Sequence, residues 1–163
     1  MKSKITHLFG ALVVTILVLP SMGAAQTKPI NIALFNPIQI FPEKDPIAGL
    51  RINLIYGKNV SMMGLDWGLV NAVGNGGFTG LQLGLVNISD GNVVGVQWSA
   101  VNLGKENVEG FQYGWVNSGS HVSGFQLGLV NYAGTMKGLQ IGIINIIKTG
   151  GQFPVFPIVN WSF

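Results

Sequence analysis

The sequence predicts an all-β fold made of tandem repeats of about 15 residues, with about one strand per repeat. Three observations carry this. An octapeptide of the form G-h-Q-h-G-h-V-N, with h apolar, recurs along the chain. Its apolar residues alternate with a period of two, the period of a strand. The segments between copies are short and rich in Gly, Ser, Asn and Asp, which is turn chemistry.

The chain opens with residues 1–25, which have the order of a secretory signal. Lys2 and Lys4 give a positive start, Leu8 to Leu19 is apolar, Pro20 breaks the run, and Gly23-Ala24-Ala25 supplies small residues for cleavage after Ala25. The run is short for a membrane span of about 20 residues. The expectation is an exported protein of the outer membrane, periplasm or cell surface. Without Lys2 and Lys4 the chain carries seven basic and six acidic side chains. Such sparse, balanced charge gives no footprint for nucleic acid, and no glycine-rich loop stands between a strand and a helix to bind a nucleotide. Cysteine is absent, so disulfides, thiolate metal sites and a lipid-bearing N-terminal cysteine are excluded.

Residues 26–48 form a separate N-terminal element, punctuated by Pro29, Pro37, Pro42 and Pro46. It reads as an edge strand or cap over the first repeat, because repeat stacks need capping and sheet edges need protection. Ile30 to Phe41 offers one further strand.

Residues 49–163 form an eight-repeat β domain. Six copies are clear: GLDWGLVN at 64–71, GLQLGLVN at 80–87, GVQWSAVN at 95–102, GFQYGWVN at 110–117, GFQLGLVN at 124–131 and GLQIGIIN at 138–145. Decayed copies flank them, GLRINLIY at 49–56 and FPVFPIVN at 153–160. Alternation extends two residues upstream of each copy, to Phe78, Val93, Val108, Val122 and Met136, which makes strands of about 10 residues. On one face lie Gly80, Gln82, Gly84 and Val86, a small and nearly invariant set. On the other lie large apolar groups that vary freely: Trp67, Leu83, Trp98, Tyr113, Leu127 and Ile141 share one slot.

Two arrangements accommodate such strands. The first is an antiparallel up-and-down meander or barrel. A strand of about 10 residues, tilted, spans roughly 24 Å, close to the apolar band of an outer-membrane barrel. The alternation of Val155, Pro157, Val159, Trp161 and Phe163 resembles the terminal strand of such barrels, although Pro157 favours an edge. The alternative is a β-solenoid, each repeat a coil bent near its second glycine, with identical residues stacked in ladders.

The repeat residues Gly80, Gln82, Gly84, Asn87, Gln97, Asn102, Gln112, Asn117, Gln126, Asn131, Gln140 and Asn145 are read as structural: glutamines bonding one another or backbone, asparagines suited to strand ends. Arg51 and Asp66 occupy the same slot in neighbouring units and are expected to form an ion pair. No catalytic, cofactor or metal site is expected. His121 stands alone in a turn, and the carboxylates Glu43, Asp45, Asp66, Asp90, Glu106 and Glu109 show no paired spacing.

The G-h-Q-h-G-h-V-N array and its PVFPIVNWSF end resemble a group of exported surface repeat-containing proteins of Gram-negative bacteria. The resemblance covers about residues 49–163. It implies an envelope location and brings no activity or ligand. The expected partner is outer-membrane lipid or another envelope protein. A soluble periplasmic or surface binding module is the alternative.

Overall fold

A computed structural model describes residues 26–163. The expected signal peptide lies outside them. The described residues contain six strands and no helix: β1 (Lys28–Phe35), β2 (Ile38–Gln39), β3 (Ile47–Ser89), β4 (Val93–Trp98), β5 (Val101–Thr149) and β6 (Val155–Ser162). β3 has 43 residues and β5 has 49. A straight strand of that length would reach roughly 140 Å. Each therefore winds through several coils.

Neighbouring copies pair in parallel and slot on slot. Gly80, Gln82 and Leu83 lie beside Gly95, Gln97 and Trp98. Those in turn lie beside Gly110, Gln112 and Tyr113. Asn87 lies beside Asn102. The fold is a β-solenoid, the second of the two arrangements, and the antiparallel meander or barrel is corrected. A straight strand of about 10 residues in each repeat would leave too few residues for a return path. The return path lies inside the octapeptide itself. Gln112 Nε2 reaches the Ser118 carbonyl at 3.3 Å, and Gln126 and Gln140 reach Tyr132 and Ile146 at 3.1 Å. Residues six apart in a straight strand stand roughly 20 Å apart. Each coil thus has two arms, joined by a corner after the second glycine and by a turn between octapeptides.

The corner also shifts the side-chain phase. Gln82 and Asn87 are both wholly buried although five residues separate them. Strict alternation would place them on opposite faces. One extra residue is absorbed at Gly84–Val86, so Asn87 turns inward and the valine slot turns outward, as at Val116. The expected grouping of Val86 with Gln82 is corrected on this ground.

The first glycine of each copy has a left-handed φ, such as 132° at Gly80 and 126° at Gly95. A Cβ there would collide with the carbonyl oxygen of the corresponding glycine one coil earlier. Glycine is thus required both for its φ and for close stacking. Between the arms, Ile47, Met62, Phe78, Val93, Val108, Val122 and Met136 form an apolar row beside the turns, packed with Val73, Ala133 and Ile147. Full burial of a side chain of this size contributes about 1.5–3 kcal/mol.

Both ends are closed by strands that depart from the repeat. β1 runs parallel to the start of β3, with Asn31 beside Arg51 and Ile32 beside Ile52. Its segment PINIALFN at 29–36 is itself a degenerate copy, with Asn31 in the glutamine slot. β2 turns back on β1. At the other end β6 is antiparallel to β5 and lies at the sheet edge, with Asn160 opposite Gln140. The expected eighth copy therefore reverses and closes the stack. The turn through Gly150, φ 77°, permits the reversal, and an edge strand accommodates Pro157.

Candidate functional site

The interior of the coils holds two amide rows. Gln82 Nε2 donates to Asp66 Oδ2 at 2.8 Å, and Gln97, Gln112, Gln126 and Gln140 each donate to the Oε1 of the preceding glutamine at 2.7–2.8 Å. In the second row Asn53, Asn71, Asn87, Asn102, Asn117 and Asn131 each donate to the Oδ1 of the following asparagine, ending at Asn145, at 2.7–3.0 Å. Both rows are wholly buried, and burial of an amide is tolerable only with such partners. The rows donate in opposite directions, so their dipoles oppose. Each leaves one orphan: Asn53 Oδ1 and Gln140 Oε1 are buried without a partner.

Arg51 and Asp66 form the expected pair. Arg51 Nε and Nη2 donate to the two Asp66 carboxylate oxygens at 2.8 and 2.7 Å. Both side chains have zero exposure. Asn53 and Gln82 donate to the same carboxylate, and Arg51 Nη1 donates to Asn59 Oδ1. The charges are thus mutually neutralised, with all three guanidinium nitrogens donating and both carboxylate oxygens accepting, the condition for tolerating a buried pair. Asn59 was not foreseen. It lies in the linker after the first decayed copy and also accepts from Asn31. Its only sequence signal is polarity next to a degenerate unit.

The expected structural glutamines and asparagines therefore line the inside of the stack without contact with solvent, whereas Gly80 and Gly84 are half-buried. What the molecule presents outward is different. Within the octapeptides the only charged residues are Arg51 and Asp66, and both face inward. The outer slots hold large apolar groups. Trp67 and Trp98 are 57% and 58% exposed, and Trp115 at the corner is 65% exposed. Leu54, Leu69, Leu85, Leu129 and Ile143 share the corner slot with Trp115. Trp98 and Tyr113, one coil apart, meet edge to face at 5.3 Å. Between this row and the corner row run two adjoining open depressions, about 640 and 600 Å³, that share Gly84 and Trp98. The second glycines form their floor.

Charges lie elsewhere. Asp90, Lys105, Glu106, Glu109, Lys137 and Lys148 all stand in the segments between octapeptides. Lys105 pairs with Asp90 at 2.7 Å. At the N-terminal end Lys58 pairs with Glu43 at 2.8 Å. The Glu43 carboxyl is held below its ordinary value by hydrogen bonds from Lys58 and Asn36, and the Lys58 ammonium is raised by Glu43. His121 is exposed, with Nδ1 2.7 Å from Thr135 Oγ1. Among the described residues no cluster of three His, Cys, Asp or Glu is placed to hold a metal ion.

Comparison of the chain with protein-family models, with curated proteins and with solved structures finds no match in any of the three.

Proposed function

We propose that this chain is a non-enzymatic, exported cell-envelope repeat protein, held at the outer membrane through its apolar outer surface. The reading rests on one observation above all: every octapeptide charge points inward, while the outer slots expose Leu, Ile, Val, Trp and Phe. One flank alone covers roughly 24 Å along the stack by about 13 Å across, some 300 Å² at strand spacings. Two flanks and the corner together lie toward the upper end of the largest patch a soluble monomer ordinarily exposes, about 300–600 Å², a size that is often functional. The signal-like start of the chain and the resemblance of the repeat to exported surface-repeat proteins support the same location.

Cell fractionation tests it. Mature protein should remain in the membrane pellet through high-salt and alkaline washes and be released by detergent. Mature protein recovered in the salt-washed soluble fraction would refute the membrane reading. The second reading is a soluble periplasmic or surface module that binds a partner along its outer groove. The glycine-floored depression between Trp67, Trp98 and the corner row favours it.

A further inference from the structure

We infer that the solenoid is a one-leaflet wedge: it lies with its axis along the membrane plane and sinks its corner row into the hydrocarbon of a single lipid leaflet. This rests on the membrane reading above and adds its depth and orientation. Each coil has two edges. One is the turn edge, whose segments carry all the exterior charges of the repeats, such as Asp90, Lys105, Glu106 and Lys137. The other is the corner, where Leu69, Leu85 and Trp115 protrude. The apolar slots continue from the corner along both arms. On the first arm they reach Leu81 and Phe125; on the second they reach Ile88 and Leu103. The surface is therefore graded along the arm rather than apolar on one flat side.

Its depth matches one leaflet. From the Leu81 slot to the Leu85 slot is four residues, about 13 Å of strand. Half of a hydrocarbon core of about 30 Å is about 15 Å. The next outward slot upstream is Thr79, Glu109, Ser123 or Lys137, polar in most coils, which sets the headgroup level. Along the flanks the backbone is satisfied by parallel pairing between coils, and at the corner Asn71 and Asn102 donate to the Leu83 and Tyr113 carbonyls while the Trp115 N–H donates to the Ala100 carbonyl, which lowers the cost of placing this backbone in hydrocarbon. The lipid is the occupant that the charge pattern favours. A protein partner would need no match between the apolar depth and a leaflet.

Tryptophan depth tests the inference on the full mature chain. Variants that keep only Trp115 or only Trp98 would be bound to phosphatidylethanolamine/phosphatidylglycerol vesicles carrying bromines at known acyl positions. Trp115 should be quenched most strongly by the deepest bromines, and Trp98 by shallower ones. Leu85→Glu, at an exposed corner site, should weaken vesicle flotation at least tenfold, whereas Thr79→Glu should leave it within twofold. Equal, shallow quenching of both tryptophans with flotation retained would overturn insertion while leaving membrane association standing. Absence of flotation for the unaltered chain, with the protein folded and soluble, would overturn both.

Discussion

Arg51 and Asp66 lie one coil apart in the same slot, and the guanidinium fork closes on both carboxylate oxygens at 2.7–2.8 Å with no exposure to solvent. The pair does more than neutralise itself. A carboxylate only accepts hydrogen bonds, so Gln82 must turn its amide nitrogen toward Asp66 and its oxygen toward Gln97. The same choice then repeats to Gln140. One acidic residue thereby sets the donor direction of the whole glutamine row.

Arg51→Met should therefore be severe. It strands a buried carboxylate, which costs about 3–5 kcal/mol. The double change Arg51→Gln with Asp66→Gln should recover most of that loss, because it extends the amide row by two coils. Urea unfolding of Arg51→Gln, Asp66→Gln and the double gives the coupling energy. A double variant as unstable as Arg51→Met would contradict the row as the reason for tolerance.

Position along the row should matter. Gln112→Leu orphans Gln97 Oε1 and removes an acceptor from Gln126. Each buried polar group left unpaired costs about 1–3 kcal/mol. Gln140→Leu removes a group whose own Oε1 already lacks a partner. It should be the milder of the two by about 1–2 kcal/mol. Equal losses in chemical denaturation would argue against end-to-end cooperation in the row.

Two glycines of positive φ should differ in cost. Gly150→Ala meets a left-handed φ of 77° and open space, so only the conformational penalty applies, about 1–2 kcal/mol. Gly95→Ala meets φ 126° and the Gly80 carbonyl oxygen together. It should lower the thermal midpoint well beyond Gly150→Ala, or prevent folding. Similar midpoints for the two variants would show that the coils can separate to admit a methyl group.

The Glu43–Lys58 pair fixes the loop before β3 to the first linker and makes a small pH-dependent contribution. Glu43 is depressed in the fold, so its share is present above its unfolded pKa and is lost as pH falls through the folded one. Lys58 is raised, so its share is present below its unfolded pKa and is lost as pH rises through the folded one. The contribution is therefore largest between the carboxylate and ammonium ranges. Both groups are substantially exposed, so solvent screening limits it to less than about 1 kcal/mol. Glu43→Gln should flatten stability against pH at the acid end without moving the neutral value by more than that. A loss of several kcal/mol at neutral pH would mean that Glu43 has a further structural part.

The residues divide between what local pattern reveals and what assembly decides. The repeat, the inward glutamines, the outward large apolar slot and the Arg51–Asp66 pairing were legible in the sequence, because each follows from strand alternation within a unit and from equal spacing between units. The direction in which neighbouring copies run was not. Backbone donors and acceptors pair in either direction, so the octapeptide alone leaves both open. The parallel choice depends on the corner after Gly84, and that corner depends on contacts across the coil such as Gln112 to the Ser118 carbonyl. Asn87 turns inward for the same reason, since a phase shift at a bend leaves no mark on a period of two. The reversal of β6 was hidden because FPVFPIVN keeps the repeat's apolar rhythm while running the other way. Composition and local periodicity determined that this chain stacks extended copies with amides inside and oil outside. Only the folded coil decided that the charges of the repeats gather on one edge and Trp67, Trp98 and Trp115 near the other, because that separation arises from where the chain bends.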